Sequence, residues 1–464
     1  MKTINRFTRR NLMKRTAEAA VAAAAFPTII PSSVLGFGPS PAPGDRIGVG
    51  CIGGGPQGVG VMSRFLAEKD ARVLAVCDVK EERLQSARNR VNAVYENEDC
   101  AAYKDFRELV ARKDIDVVLI ATPDHWHTLT ALAALRAGKD IYCEKPLALS
   151  LAEHQMLREE INRRKRIFQF GTQQRSDARF RRACELVLNG RIGKLRHINV
   201  WAPGSAPGGS TRIVPVPETL DYNFWTGPAP YRPYTEDRCF ADDVTKTWWF
   251  ISDYTLGFIT GWGIHPMDIA LWGGGAELFT GPLEAEGFGR IPSEGACDTA
   301  TIWDVSFTFT GGVTMKFVGN PNGRNSGDPT GEPWPQEQEW RNHYRKISTH
   351  GTAFEGTDGW VHVDRSGINV HPASLLDEKP EDYKVQLKRS ANHVRDLLDS
   401  VKSRAQSICP IEEAIKADQL CHVADLALRL RRKLVWDPQK ERFLDDHEAQ
   451  ERIASRTMRS PWLL

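Results

Sequence analysis

Ile47-Gly48-Val49-Gly50-Cys51-Ile52-Gly53-Gly54-Gly55-Pro56-Gln57-Gly58 is the stretch that decides the fold. Its first six residues are a short apolar run with strand character. The next six place Gly53, Gly55 and Gly58 at the three glycines of G-x-G-x-x-G. The first glycine permits a tight turn, the second lets backbone approach a pyrophosphate, and the third lets the next helix pack on the strand. That helix, opened by Pro56 and Gln57, offers free N–H groups and a positive dipole end to phosphates. Arg72-Val73-Leu74-Ala75-Val76-Cys77-Asp78 reads as a second strand, and Asp78 falls 20 residues after Gly58. A carboxylate there binds the adenosine ribose hydroxyls and repels a 2′-phosphate. A glycine pattern alone is weak evidence; strand, helix, second strand and spaced acid in register predict an NAD site.

The alternation continues to about residue 170. Helices are expected over Gln85 to Glu98, Phe106 to Ala111, Thr128 to Ala137 and Leu151 to Arg163. Asp116 to Ala121 is continuous in Val, Leu and Ile, as in a parallel strand buried on both faces. It runs into Thr122-Pro123-Asp124-His125-Trp126-His127, at the strand end where open α/β sheets bind ligands. Thr122, Pro123 and His127 are therefore candidate cofactor contacts, with His125, Trp126 and His127 the candidates to border the nicotinamide. Strand Asp140 to Cys143 leads into Glu144-Lys145-Pro146, and Ile167 to Phe170 is one more strand. From Leu195 the pattern changes to alternation rich in Thr, Val and Phe, at Leu195 to Trp201 and Thr301 to Val318. Gly311-Gly312 before Val313 to Phe317 is a hairpin signal, and Gly359 to Val370 adds shorter strands. Helices Ala391 to Lys402 and Ile411 to Lys433 follow, then a charged tail from Pro438 to Leu464.

Composition excludes some classes. At 464 residues the chain is too long for one small core, and 41% hydrophobic with 26% charged residues is an ordinary globular balance. Residues 1–40 carry six basic side chains against Glu18, so the remainder is net negative despite an overall +2. Nothing in that balance favours nucleic acid. Nine cysteines lack C-x-x-C or metal-ligand spacing and read as core thiols. His125 and His127 lack Cys or further His partners, so no metal is expected. Thr8-Arg9-Arg10-Asn11-Leu12-Met13-Lys14 resembles a twin-arginine export signal, and the apolar run Ala17 to Phe26 is too short for a membrane anchor. The expectation is a periplasmic or secreted protein handled by the twin-arginine machinery.

The glycine turn, Asp78, the Thr-Pro-Asp-His-Trp-His turn, Glu144-Lys145-Pro146 and Gly171-Thr172-Gln173-Gln174-Arg175 come in one order and spacing. Together with Gly261-Trp262-Gly263-Ile264-His265-Pro266-Met267-Asp268, they resemble the glucose–fructose oxidoreductase/inositol dehydrogenase (Gfo/Idh/MocA) family, in its exported branch. The resemblance implies an α/β protein: an N-terminal Rossmann doubly wound parallel sheet and a C-terminal α+β domain with a large open, mostly antiparallel sheet. The expected domains are a signal and linker at 1–42, an NAD-binding domain at 43–168, and a substrate and oligomerisation domain at 169–464. It also implies a homo-oligomer acting on a small carbohydrate substrate.

The family resemblance assigns roles as well. Hydride passes between nicotinamide and a secondary alcohol carbon while a side chain handles the hydroxyl proton. Lys145, with a cis bond to Pro146, would bring its ammonium to the reacting oxygen. His265 would be the second proton-handling residue, and Glu144 and Gln173 would orient cofactor or lysine. Arg175 and Trp262 would face the sugar, and Asp268 would either face the pocket or cap or brace its helix. Position 261 is Gly where inositol dehydrogenase-like members carry an Asp, which removes the usual partner of His265. The leading reading is an NAD-dependent dehydrogenase of a sugar, polyol or glycoside. The alternatives are NAD-dependent glycoside cleavage by oxidation and elimination, and nucleotide binding without turnover.

Overall fold

Short buried strands joined by helices build the first layer of a computed structural model that describes residues 45–239, 248–320 and 336–464. The export signal expected at the N-terminus and most of the Pro/Gly-rich stretch 320–335 lie outside the described residues. Six strands, β1 (Ile47–Ile52), β2 (Ala71–Cys77), β3 (Ala101–Tyr103), β4 (Val117–Ile120), β5 (Asp140–Cys143) and β6 (Phe168–Phe170), form one parallel sheet. Its order is β3-β2-β1-β4-β5-β6. The direction of winding reverses between β1 and β4, and in such sheets the crevice at that reversal, beyond the strands' carboxyl ends, is where a dinucleotide binds. β1, β4, β5 and β6 are buried along their whole length, which is why they read as apolar runs without alternation.

The second sheet has nine strands: β7 (Leu195–Pro203), β8 (Leu283–Arg290), β9 (Ile302–Phe309), β10 (Thr314–Asn320), β11 (Gly351–Gly356), β12 (Trp360–Asp364), β13 (Gly367–His371), β14 (Leu434–Asp437) and β15 (Arg442–Phe443). Their order is β13-β12-β11-β7-β10-β9-β8-β14-β15, and every pair is antiparallel except β7 with β10. Helices Ala178–Leu188, Ile264–Gly274 and Ile411–Leu430 pack against it. Along β8, Leu283 and Ala285 are buried while Glu284 and Glu286 are exposed, so the other face is open there, whereas at β7 and β12 Trp340 and Tyr344 cover it. The expected fold class is the one observed.

Several boundaries differ from the sequence expectation. The first domain cannot end at 168, because β6 runs through Phe170 and pairs with β5. The helix expected over Gln85 to Glu98 spans Glu81–Tyr95: Glu81 and Glu82 favour its N-terminal turn, and Glu96 ends it in a left-handed conformation. The long helix ending the second half stops at Leu430 rather than Lys433, so that Leu434 can start β14. The charged tail is structured: β15 and a helix at His447–Ala454 precede a segment that returns to the first domain. There Arg456 pairs with Glu153 at 3.0 Å and donates to His125 O at 2.9 Å, and Trp462 packs on Trp126 and Phe224 at 4.8 and 5.0 Å between ring centres. All nine cysteines are buried free thiols, and no helix among the described residues is long and apolar enough to cross a membrane.

Candidate active site

The glycine turn joins β1 to the helix Pro56–Leu66. Gly53 has φ +102°, which glycine adopts without strain, and a Cβ on Gly58 would lie 2.0 Å from Gly53 O. Pro56 has no N–H, and Val59 N–H makes the first helical bond, to Gly55 O at 2.9 Å. The amides of Gln57 and Gly58 are therefore left without helical acceptors, as an anion cradle requires. Asp78, just beyond β2, braces the turn: Oδ2 accepts from Gly54 N–H at 2.7 Å and Oδ1 from Lys80 N–H at 2.8 Å. Burial pushes its carboxyl up, against those two amides.

A cleft enclosing about 1240 Å³ of open space runs from this turn to the end of β5. Gly53, Gly55, Pro56, Gln57, Gly58, Asp78, Thr122, Pro123, Glu144 and Lys145 all line it, as the sequence proposed. A Cβ added at Gly55 would meet only Arg83 Nη1 at 3.7 Å, so the turn faces open space at the point where a pyrophosphate must approach. These residues fit an NAD molecule. Beside Asp78 the cleft is also lined by Lys80, Arg83 and Lys104, cations that the sequence reading did not single out. Asp78 is thus an acidic group in a cationic surround at this end of the cleft. Asp78→Ala should weaken NAD about 10-fold or more, since a hydrogen bond to a charged group is worth about 1.5–3 kcal/mol. NADP should lose nothing or gain. Calorimetry with both nucleotides checks this, and tighter binding of NADP by the wild type would remove Asp78 from the role.

At the far end, Glu144 Oε1 accepts from Gln57 Nε2 and Gln173 Nε2, each at 2.9 Å. Gln173 also donates to the Tyr142 hydroxyl at 2.9 Å. Gln173 is therefore a brace for Glu144 rather than part of the cleft lining. Burial raises the Glu144 carboxyl, and the neighbouring Lys145 charge opposes that rise. The Lys145–Pro146 bond is cis, as the resemblance implied. Lys145 Nζ lies 6.0 Å from the Trp249 ring centre. His127, expected beside the nicotinamide, instead ties two turns together: Nε2 meets Thr122 O at 2.9 Å and Nδ1 meets Pro146 O at 2.6 Å. It is buried and lines no part of the cleft.

A smaller cavity of about 270 Å³ adjoins the cleft and shares Asp124, Lys145 and Trp249 with it; Pro146, Thr255, Gly257, Phe258, Gly261 and Trp262 complete it. Trp262 therefore lines the same space as Lys145. His265 does not line it. It is buried one turn further on, its ring 5.9 Å from that of Trp262, and burial together with the Arg365 and Lys145 charges holds its pKa well below the usual imidazole range. His265 is thus a neutral ring, and its Nδ1 has no partner. His350, which the sequence reading missed, packs on Trp262 at 5.1 Å with both ring nitrogens unpartnered.

Arg175 and Asp268 are brought together, but away from the cavity. Arg175 Nε and Nη2 reach Asp268 at 2.7 to 3.0 Å, Nη2 also reaches Glu413 at 3.2 Å, and both members of the pair are buried. The geometry gives them a structural role, in place of the sugar contact expected of Arg175 and in line with the bracing alternative for Asp268. Burial opposes the guanidinium's charge, and the carboxylate of Asp268 more than offsets it.

A second buried cluster was not legible in the sequence. His154, Asp418 and His422 place potential ligand atoms within 4.8 Å of one another. Asp418 Oδ2 accepts from His154 Nε2 at 2.8 Å and Ala148 N–H at 3.1 Å, while His422 Nε2 donates to Ala148 O at 3.1 Å. Burial opposes ionisation of Asp418, but the two imidazoles hold it below the usual carboxylate range. The cluster grips both backbone groups of Ala148, three residues after Lys145, and so fixes the loop that carries the lysine.

Comparison with known proteins agrees with this geometry. Residues 47–172 match the model of the oxidoreductase family, NAD-binding Rossmann fold, and residues 205–284 and 376–464 match the family's C-terminal alpha/beta domain. The chain is similar to a myo-inositol 2-dehydrogenase of Thermotoga maritima, 31% identical over 159 residues, which is 34% of this chain and 46% of that protein. It is also similar to a glycosyl hydrolase family 109 protein of a Shewanella species, 35% identical over 112 residues, 24% of this chain and 25% of that one. The chain thus spans less than half the length of these curated relatives. Among solved structures, an aldose-aldose oxidoreductase from Caulobacter crescentus aligns with TM-score 0.59 at 17% identity, covering 84% of this chain and 99% of that one. A myo-inositol 2-dehydrogenase from Lactobacillus plantarum aligns at 0.55 and 17% identity, covering 84% and 98%. At such identities these alignments carry the fold alone. With the two family models matching both halves of the chain, the protein belongs to the Gfo/Idh/MocA oxidoreductase family, and its first domain is an NAD-binding Rossmann fold.

Proposed function

We propose that the protein is an NAD-dependent oxidoreductase that transfers hydride between nicotinamide and a secondary alcohol of a sugar, polyol or glycoside. The observation that carries this reading is Lys145, on a clamped loop at the wall shared by the cofactor cleft and the small cavity. Bound NAD supplies the two-electron acceptor. The glycine turn and Asp78 hold its pyrophosphate and ribose, and Glu144, braced by Gln57 and Gln173, fixes the loop at its nicotinamide end. Lys145 polarises the alcohol oxygen, and Trp262 and Trp249 give a sugar ring apolar surface. His265 packs beside Trp262 as a buried, neutral imidazole and plays a lesser part than Lys145.

NAD-linked glycoside cleavage is a second reading, favoured by the relatives named as glycosyl hydrolases. Retention of Lys145 favours plain oxidoreduction. Incubating the protein with NAD and a panel of polyols, aldoses and glycosides, while following NADH absorbance and released aglycone, separates the two. NADH accumulating without aglycone is the expected result; aglycone released without net NADH would favour cleavage, and neither would leave nucleotide binding alone. Export by the twin-arginine route and association through the open face of the nine-stranded sheet are part of the same proposal. Exposed Phe288 on β8 is consistent with the latter. Secretion reporter fusions and light scattering would test them.

A further inference from the structure

Asp124 begins the one-turn helix after β4 and is 4% exposed. It is the only acidic side chain lining both the cofactor cleft and the small cavity, among the described residues, and it shares both walls with Lys145 and Trp249. Its Oδ2 is buried without a hydrogen-bond partner. A buried carboxyl oxygen left unpaired is costly and rare in a folded protein, and calls for a group that arrives later. Across the cavity Gly261 presents no side chain at all.

We propose that Asp124 is the terminal acceptor for the proton of the substrate hydroxyl, relayed through Lys145. This rests on the oxidoreductase reading above. The alcohol carbon loses its hydrogen with the C–H electron pair to the oxidised nicotinamide, and the O–H electron pair becomes the carbonyl π bond. The hydroxyl proton passes to the Lys145 nitrogen as that nitrogen releases one of its own to the Asp124 carboxylate. Lys145 ends in the protonation state in which it began, the alcohol is oxidised by two electrons, and one proton resides on Asp124. In the reverse reaction the same carboxyl is the donor.

The electrostatics agree. Burial raises the Asp124 carboxyl to about 7, and the Thr255 hydroxyl and the Lys145 ammonium oppose the rise. The other charged group facing it is Asp418 from the helix Ile411–Leu430, whose negative charge adds to the rise; the Cys143 thiol at the end of β5 also feels Asp124. A group that changes charge near neutral pH suits a proton acceptor.

The test compares wild type with Asp124→Asn, which keeps size and removes the charge. With NAD and whichever panel polyol the wild type oxidises, kcat should fall about 10²–10⁴-fold. KM and the thermal midpoint should stay close to wild type, and the acidic limb of the pH–rate profile near 7 should vanish. A second measurement needs no substrate. Ionised Asp124 should favour the cationic nicotinamide, so wild-type affinity for NAD⁺ relative to NADH should rise on the order of 5-fold from about pH 5.5 to about pH 8.5, which brackets the midpoint. The Asn variant should show no such rise. An Asn variant with wild-type kcat and pH profile overturns the proposal and leaves the oxidoreductase reading intact. A wild type that oxidises nothing in the panel sinks that reading instead. A wild-type NAD⁺/NADH ratio independent of pH would separately overturn the role of Asp124.

Discussion

Lys145→Ala is expected to lower turnover about 10²–10⁴-fold while leaving NAD affinity nearly unchanged. Lys145 follows β5 at the carboxyl edge of the sheet, and Glu144 beside it is held by Gln57 and Gln173. Three residues on, Ala148 is gripped by Asp418 and His422. A cation so placed stabilises charge as it develops on the substrate oxygen, and such preorganised groups act in the transition state more than in the ground state. The proposed NAD contacts are chiefly the glycine turn and Asp78, so nucleotide titration of the variant should match wild type. His265→Ala should lose less. Its ring is outside the cavity lining and is held neutral by burial. The double variant should be less impaired than the product of the single losses, because groups acting as a unit are not additive. A Lys145→Ala enzyme with wild-type kcat would remove the lysine from the chemistry.

Arg175→Met should cost about 3–5 kcal/mol of stability, because it strands a carboxylate in the interior. Asp268 is fully buried, and Arg175 supplies three of its contacts at 3.0 Å or less. Replacing both partners, Arg175→Met with Asp268→Leu, should recover most of the loss, since an apolar pair leaves no unpaired charge. Denaturant unfolding of the three proteins checks this. An Arg175→Met variant as stable as wild type but with a raised KM would return Arg175 to the substrate.

What was legible in the sequence was local. Strand β1 was placed at its observed limits, because an apolar run and a glycine turn are written in adjacent residues. The Gly311-Gly312 hairpin between β9 and β10 was visible for the same reason, with Gly312 at φ +80°. The glycine turn and Asp78 followed from spacing within one βαβ unit, whereas the roles of Glu144 and Lys145 rested on the family resemblance. What was missed depends on distant partners. The clamp on Ala148 joins His154 and Asp418, 264 residues apart, and no short pattern links them. Arg175 looked like a polar loop residue until Asp268, 93 residues on, folded against it. Asp124 was quoted within its turn but given no role, because its importance lies in burial and in the cavity wall supplied by residues 249–262. His127 was misplaced because both its ring nitrogens are taken by carbonyls, Thr122 O and Pro146 O, which only the folded turns bring within reach.

The returning segment 456–462 has a consequence for how the protein is made. Arg456 and Trp462 back His125, Trp126 and Phe224, and the last two line the nucleotide cleft. The contact from Arg456 to His125 spans 331 residues. At a ribosomal rate of about 5–20 residues per second, that stretch takes on the order of tens of seconds to synthesise. During that interval the six-stranded sheet can form with one wall of its cleft unsupported. Firm capture of the nucleotide is thus a late event in biogenesis, and ribosome-bound chains stalled before residue 456 should hold NAD less tightly than released ones.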